Sequence, residues 1–247
     1  MGQLTFGSLF SGIGGLDLGL ERAGMTCRWQ SEIDPYACRV LAKHWPNTPN
    51  LGDINDIEWR TVEPVDLICG GYPCQPFSTA GLRNGTDDPR HLWPKFANAI
   101  RVLQPRYALL ENVAGHLTLG FETVIADLAA CGYDAQWDCI PAATVGAPHR
   151  RDRVFVIATR QTVGDTTGRV GRQSEFKDMA PGRGRAEFRK PVSDSISGTY
   201  WSSNQPAMGG MADGFPNRLD RLRGLGNAVV PQVAEYVGNI IIDMATD

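Results

Sequence analysis

The sequence predicts an α/β protein with a doubly wound sheet, and two observations carry this prediction. Short apolar runs typical of buried strands alternate with segments of helical length and period through the first 160 residues. A glycine-rich turn follows the first of these runs, as it does in many nucleotide- and nucleoside-binding folds. We therefore expect ligands to lie beyond the carboxyl ends of the strands.

The first half of the predicted sheet begins with a strand over residues 4–10, the turn Gly12–Gly15 and a helix that stops near Gly24. A second strand over 26–31 leads into Glu32. Asp34 and Pro35 then supply the N-cap and first-turn proline of a helix that ends near His44. Residues 50–54 are predicted as a loop or a short third strand.

The second half continues with a strand over 65–69 and a loop to about residue 90. A helix over 92–103, a strand over 107–110 that ends at Glu111, and a helix over 119–131 follow. Residues 133–140 and 153–159 have no helix between them, so we expect them to form an antiparallel pair. The sheet thus carries a β-hairpin at its end.

The composition is that of an ordinary globular chain, with 42% hydrophobic and 21% charged residues. No apolar run approaches the ~20 residues of a membrane span, and the amino terminus lacks a signal-peptide pattern. We therefore expect a cytoplasmic protein with no membrane partner. Six cysteines and four histidines are scattered without zinc-ligand spacing, which predicts a reducing compartment and no protein-bound metal.

Charge is distributed unevenly along the chain. The net charge is −3, but residues 160–191 contain eight Lys or Arg against four Asp or Glu. Arg side chains suit bidentate contacts to phosphate and guanine, whereas a GC-rich genome enriches Arg without any structural reason. Composition leaves both explanations open.

Residues 70–78, Gly-Gly-Tyr-Pro-Cys-Gln-Pro-Phe-Ser, directly follow the strand predicted over 65–69. Cys74 therefore lies just past the carboxyl end of a parallel strand, and Pro73 and Pro76 stiffen the turn around it. A thiol presented in this way can act as a nucleophile. A small apolar filler is the other interpretation of such a cysteine, and the local pattern does not separate the two.

This stretch resembles the catalytic motif of the DNA (cytosine-C5) methyltransferases. Four further segments resemble motifs of that family, in the family's order: residues 10–15, 111–113, 151–153 and 226–229. The chain is therefore similar to a small phage- or bacterial-type member of the family, and the resemblance covers residues 4–160 and 215–240. It implies a Rossmann-like S-adenosylmethionine-dependent methyltransferase sheet with a small irregular target-recognition region.

The resemblance also implies a reaction, a substrate and a domain plan. A methyl group passes from S-adenosylmethionine to carbon 5 of a cytosine in a specific sequence of double-stranded DNA, as in restriction-modification systems. The cytosine must be flipped out, since a stacked base cannot reach such a site. The domains are a catalytic domain at 1–160, a target-recognition region at 161–214 and a C-terminal segment at 215–247 that packs back on the first. We expect a monomer.

Four residues carry the chemistry that the resemblance implies: Cys74, Glu111, Arg151 and Arg153. A thiolate that adds to carbon 6 makes carbon 5 nucleophilic, and a carboxyl at N3 stabilises the charge that develops on the ring. Glu111 suits that role, although a strand-end carboxylate can also cap the next segment. Because Arg151 and Arg153 alternate along one predicted strand, we expect both guanidiniums on the same face, beside the base.

The cofactor is assigned by the same resemblance to the strand ends of the first half. Glu32 is placed to accept hydrogen bonds from the ribose hydroxyls, Asp53 to hold the adenine amino group, and the Phe10 ring to pack on the adenine. Core packing for Phe10 and a turn role for Asp53 are the plain alternatives. The full cofactor set is Phe10, Gly12, Ile13, Gly14, Gly15, Glu32, Ile33, Asp53, Ile54, Pro73, Asn227 and Val229.

The loop over residues 75–90 resembles the family's closing loop, with Gly81 and Gly85 as hinges. The residues expected to contact nucleic acid there are Gln75, Ser78, Arg83 and Arg90. A plain solvated loop is the alternative.

Two positions depart from the family pattern. His149 stands where the family has Gln, and Ala228 where many members have Ser. Three other functions stay open: the same chemistry on tRNA, a catalytically inactive DNA-binding relative, and a Rossmann oxidoreductase, which the missing G-x-G-x-x-G spacing disfavours.

Overall fold

The computed structural model describes residues 2–73, 92–118, 120–161 and 218–246. In these residues six strands form a single sheet in the spatial order β2-β1-β3-β4-β6-β5. The strands are β1 (Thr5–Leu9), β2 (Thr26–Ser31), β3 (Leu67–Gly70), β4 (Tyr107–Val113), β5 (Tyr133–Ile140) and β6 (Arg153–Arg160). The first four pair in parallel, whereas β6 runs antiparallel to both β4 and β5.

Helices cover both faces of this sheet, which confirms the predicted doubly wound α/β fold. They are α1 (Gly15–Arg22), α2 (Pro35–His44), α3 (Trp93–Leu103), α4 (Phe121–Ala130), α5 (Arg218–Asn227) and α6 (Pro231–Thr246). Short 3-10 turns occupy Trp59–Thr61, Ala114–Thr118 and Ala142–Val145. Side chains of α3 and α4 pack on one face, and those of α1 and α6 pack on the other.

Strand alternation divides the core between the two faces, as a period of two residues requires. In β3, Leu67 and Cys69 point to the α1 and α6 side, while Ile68 points to the α3 and α4 side. All three side chains are fully buried. A central strand that is buried on both faces is typical of a parallel sheet.

Residues 50–54 form a loop, the first of the two structures predicted for them, with one isolated bridge from Asn50 to Gln30. Two other elements differ from the prediction for physical reasons. Strand β4 extends to Val113, since β6 pairs with it over its whole length. Helix α5 was not predicted, because Gly224 and Gly226 give this segment a poor helix propensity.

Most of the predicted target-recognition region, from residue 162 to 214, lies outside the described residues. The loop over residues 75–90 lies outside them as well. Among the described residues, no helix combines the length and the apolar character that a membrane crossing requires.

Helix α6 packs closely against α1. Gly19 and Gly238 form the contact, and a side chain at Gly19 would overlap the backbone at Pro231 and the side chain of Ala234. The two helices approach each other closely because both carry glycine there. The C-terminal segment is thereby held against the face of the sheet that α1 covers.

We predict that Gly19→Ala lowers the free energy of unfolding by about 1–3 kcal/mol, because the added methyl group forces α1 and α6 apart. Gly226→Ala is the matched control. It also replaces a helical glycine, but its methyl group would meet no atom within 4 Å, so it should leave stability unchanged or raise it by up to about 1 kcal/mol. Urea denaturation measures both. Equal stabilities of the two variants would contradict the close helix contact.

Candidate active site

A cavity of about 520 Å³ opens at the carboxyl ends of the parallel strands. Its size is typical of small-ligand sites, and its position is where open α/β sheets bind ligands. One end is formed by the turns after β1 and β2. The other end is formed by Glu111 and Arg153, and residues at the end of α5 close one side.

The turn after β1 departs from ordinary backbone geometry. Phe10 has a φ of 54°, in the left-handed region that non-glycine residues rarely adopt, and Gly12 has a φ of 55°. Such strain is retained where surrounding contacts enforce it, often at binding sites. Here it turns the chain sharply, so the Phe10 ring lines the cavity and packs 6.3 Å from the ring of Phe96.

Glu32 links the two turns that form this end of the cavity. Its Oε2 accepts a hydrogen bond from the Gly12 N–H at 2.7 Å, while its Oε1 accepts from the N–H groups of Ile33 and Asp34, each at 2.8 Å. A carboxylate offers about four acceptor sites. Glu32 therefore fixes the backbone and retains acceptor capacity toward the cavity that it lines.

A buried carboxyl lies beneath the same turn. Asp17, in the first turn of α1, is fully buried. Its oxygens accept from Ser8 Oγ at 3.1 Å and from Gln30 Nε2 at 2.8 Å. Burial raises the pKa of Asp17 to about 6, although both hydrogen bonds act in the opposite direction. Since Ser8 also lines the cavity, this network connects the core to the turn.

The opposite end of the cavity holds a buried ion pair. Arg153 Nε lies 3.0 Å from Glu111 Oε1, and the Glu111 side chain is only 9% exposed. Burial raises the pKa of Glu111 to about 7, while the charges of Arg153 and Arg151 oppose that rise. A carboxyl that titrates near neutral pH can donate or accept a proton, which is the property of a general acid–base group.

Strand alternation, the premise of the prediction that Arg151 and Arg153 share a face, does not hold, although both residues line a small second pocket. Strand β6 begins at Arg153, and Arg151 precedes it with a φ of 39°, so the period of two does not apply. The Arg151 guanidinium instead donates to the carbonyls of Gly226 at 2.6 Å and Ala228 at 2.7 Å. Arg153 lines the main cavity, and Arg151 does not.

The segment that leaves β3 is held against β4. Asn112 Nδ2 donates to the Tyr72 carbonyl at 3.1 Å, and the Tyr72 hydroxyl lies 2.7 Å from His116 Nε2 in a buried hydrogen bond. A Cβ atom at Gly71 would lie 2.6 Å from Glu111 Oε2. Glycine at 71 therefore lets the carboxyl approach the β3 backbone.

The similarity to known proteins agrees with this arrangement. Residues 4–195 match the family of C-5 cytosine-specific DNA methylases. The chain belongs to this family.

Two curated relatives and one solved structure illustrate the similarity. The type II methyltransferase M.HgiCII of Herpetosiphon aurantiacus is 38% identical over 172 residues, which cover 66% of this chain and 39% of that protein. M.AquIA of Picosynechococcus sp., also a type II methyltransferase, is 35% identical over 175 residues, covering 62% and 71%. A candidate DNA modification methyltransferase encoded in an E. coli prophage matches at a TM-score of 0.55 and 31% identity, covering 64% and 47%. The chain thus spans well under half the length of M.HgiCII.

Most residues that the sequence predicted for this methylase site line the one cavity. They are Glu111 and Arg153 from the catalytic set, and Phe10, Gly12, Ile13, Gly15, Glu32, Ile33, Asp53, Ile54, Pro73, Asn227 and Val229 from the cofactor set. Gly14 is buried beneath the turn against Trp45 and does not line it. Cys74, Gln75, Ser78, Arg83 and Arg90 lie outside the described residues.

Several residues that line the cavity were not predicted from the sequence. Tyr36 follows the Asp34 N-cap by half a turn, and Asn112 directly follows Glu111, so both were within reach of sequence reasoning. Asp220 and Gly224 belong to α5, the helix that was not predicted. Of the two departures from the family pattern, Ala228 lines the cavity, whereas His149 is exposed and does not.

In the described part of the chain, we find no group of three or more His, Cys, Asp or Glu side chains that could hold a metal ion.

We predict that Asp17→Asn removes a pH dependence of stability. Because the folded pKa of Asp17, about 6, exceeds the ordinary aspartate value of 3.8, its protonated form favours folding. That contribution is complete below about pH 4 and is lost as the pH rises through 6. As the pH rises from 4 to 7.5, the free energy of unfolding of Asp17→Asn should therefore rise by up to about 3 kcal/mol relative to that of the wild type.

Urea denaturation across this pH range measures the difference. Asp56→Asn, which neutralises an exposed carboxylate, is the control. A stability difference between wild type and Asp17→Asn that does not change with pH would contradict the buried-carboxyl assignment.

Proposed function

We propose that this chain transfers a methyl group from S-adenosylmethionine to carbon 5 of a flipped-out cytosine in DNA, through a covalent intermediate on Cys74. One observation carries the proposal: a single cavity joins the glycine turn and Glu32 to the buried Glu111–Arg153 pair. A methyl donor and a base that occupy the two ends would meet in the middle. Membership of the C-5 cytosine-specific DNA methylases supports the same reaction.

The residues at the end of the cavity formed by the turns after β1 and β2 fit S-adenosylmethionine. Glu32 has acceptor capacity for ribose hydroxyls, and Asp53 lines the cavity where an adenine amino group would need an acceptor. Apolar side chains, Phe10, Ile54 and Pro73, line the same part of the cavity and suit the faces of a purine. When bound, S-adenosylmethionine supplies an electrophilic methyl group.

The opposite end of the cavity, formed by Glu111 and Arg153, fits a cytosine. A protonated Glu111 can donate to N3 of the ring and stabilise the electron density that builds up there. Arg153 holds the Glu111 carboxyl in place through the 3.0 Å contact. Its other N–H groups would donate to the O2 carbonyl oxygen of the base. Both groups are already oriented by the protein, so little reorganisation is needed when a base arrives.

Cys74 follows Pro73, the last lining residue of the β3 segment. In the proposed reaction the Cys74 thiolate would bond to carbon 6, which makes carbon 5 nucleophilic. Carbon 5 would then take the methyl group as the methyl–sulfur bond of S-adenosylmethionine breaks, and S-adenosylhomocysteine would be the leaving group. A base then removes the proton on carbon 5. The sulfur–carbon bond breaks, which restores the double bond and frees the thiolate.

DNA contacts are proposed for the parts of the chain that the cavity does not use. Residues 161–214, which include nearly all of the Arg- and Lys-rich stretch 160–191, would read the target sequence. Gln75, Ser78, Arg83 and Arg90, in the loop that contains the nucleophile, would contact the backbone beside the flipped base.

The test is a mechanism-based trap. Bisulfite sequencing of DNA from cells that express the chain identifies the target, and a duplex with 5-fluorocytosine at that position then serves as substrate. Fluorine at carbon 5 cannot leave as a cation, so we expect a denaturation-resistant protein–DNA adduct that forms only with S-adenosylmethionine. Cys74→Ala should abolish the adduct. Cys131→Ala, which removes a different thiol that is half-buried, should retain it.

Two results would overturn the proposal. One is an adduct that maps by mass spectrometry to a cysteine other than Cys74. The other is methyl transfer from labelled S-adenosylmethionine to tRNA but not to DNA, which would favour the RNA alternative.

We predict that Glu111→Gln lowers kcat/KM by about 10²–10⁴-fold near neutral pH, because the amide cannot share a proton with the ring. Since the Glu111 pKa is about 7, its protonated fraction falls about tenfold per unit above pH 7. The ratio of wild-type to Glu111→Gln kcat/KM should fall in the same way, and this ratio cancels the titration of Cys74.

Steady-state methyl transfer between pH 6 and pH 9 measures that ratio. Glu122→Gln, at an exposed glutamate of α4, should behave as wild type. A ratio that stays constant above pH 7 would contradict the proton-donor role of Glu111.

A further inference from the structure

Arg151 connects two distant parts of the chain at the edge of the cavity. Its guanidinium bonds to the carbonyls of Gly226 and Ala228, which lie 75 and 77 positions away in sequence. These carbonyls flank Asn227, and the run from Asn227 to Val229 forms the C-terminal wall of the cavity. A single side chain thus fixes the backbone on both sides of a cavity-lining residue.

We propose that Arg151 is a positioning residue for the cofactor end of the cavity, and that it acts by clamping the wall formed by Asn227, Ala228 and Val229. This inference rests on the proposed function, since it names what holds the S-adenosylmethionine site together. It differs from the sequence-based expectation, in which the guanidiniums of Arg151 and Arg153 both lie beside the base.

The chemistry of the clamp requires a guanidinium. The carbonyls lie at the C-terminal end of α5, where helix carbonyls lack intrahelical partners and the helix dipole places negative charge. Both bonds are donated by one terminal nitrogen, Nη2, whose two N–H groups lie in the guanidinium plane. A lysine ammonium ends one bond closer to the backbone, so it does not reach the same position between the two carbonyls. The bonds, at 2.6 and 2.7 Å, are in the range of charge-assisted hydrogen bonds.

The backbone of Arg151 supports the same conclusion. Its φ of 39° is unfavourable for a residue with a side chain, and glycine would adopt it without that cost. An arginine at this position is explained by what its guanidinium contacts. The adjacent Arg150, whose side chain is 81% exposed, makes no contact with the cavity wall.

The clamp also separates the roles of the two arginines. Arg153 contacts Glu111, at the base end of the cavity. Arg151 contacts the α5 end, where Gly15 lies against the Val229 backbone so closely that a side chain at 15 would overlap it. Loosening the wall would therefore disturb the glycine turn, and with it the cofactor, before it disturbs the base.

Binding of S-adenosylmethionine without DNA, measured by calorimetry, tests the proposal in the full chain. Arg151→Gly deletes the guanidinium and keeps a backbone that tolerates the positive φ. Arg151→Lys keeps the charge beside Glu111 but shortens the side chain by one bond, so it loses the reach of Nη2 to the two carbonyls. We expect each variant to weaken binding by about tenfold or more, given the usual strength of charge-assisted bonds. Arg150→Ala, at an exposed residue that does not line the cavity, should bind within about twofold of wild type.

Kinetics and hydrogen exchange separate positioning from a general loss of structure. Arg151→Lys should raise KM for S-adenosylmethionine and recover kcat at saturating cofactor, while Arg153→Lys should lower kcat. Amide exchange at residues 227–229 should accelerate in Arg151→Lys, whereas exchange in the buried strand β3 should not change. If Arg151→Gly does not fold, Arg151→Lys alone decides.

Unchanged affinity in a folded Arg151→Lys protein, or a loss of kcat with KM unaltered, would overturn the clamp and leave the methyltransferase proposal standing. Wild-type protein that binds no S-adenosylmethionine would overturn both.

Discussion

The ion pair between Glu111 and Arg153 depends on the antiparallel insertion of β6 beside β4. In that ladder Val113 lies opposite Arg153, and Glu111 lies opposite Phe155. Glu111 and Arg153 are therefore diagonal neighbours on one face, within reach of long side chains. A parallel strand at this position would place a different residue opposite Val113. The strand that departs from the parallel pattern is thus the one that brings a cation to the buried carboxyl.

A buried carboxyl is costly unless it is paired, and the surrounding residues manage that cost. Gly71 leaves room for the Glu111 side chain, and Arg153 supplies the opposite charge. Burial nevertheless dominates, so the pKa of Glu111 stays near 7. An exposed glutamate would be ionised at that pH and would accept hydrogen bonds only. The same burial that costs stability therefore supplies a proton donor at neutral pH.

Structural features that depend on the local sequence pattern were predicted correctly. Parallel strands with apolar runs, the Asp34 cap of α2 and the strand-end position of Glu32 were all visible in periods and turn residues. Arg151 was misplaced because alternation holds only inside a strand, and the start of β6 is set by its pairing with Val113. Helix α5 was missed because its glycines lower its propensity, while its contacts to Ile13 and Tyr36 come from distant parts of the chain.

Glu32 and Arg151 use the same physical device on two sides of the cavity. Glu32 accepts from three backbone N–H groups, one of them 20 positions away, and Arg151 donates to two backbone carbonyls more than 70 positions away. Backbone groups at turns and helix ends lack regular partners, so a charged side chain that satisfies them also fixes their position. The family resemblance assigns ligand contacts to both residues. Their first contacts, however, are with the protein itself, which means that the shape of the cavity is set by charge-assisted bonds to the main chain before any ligand binds.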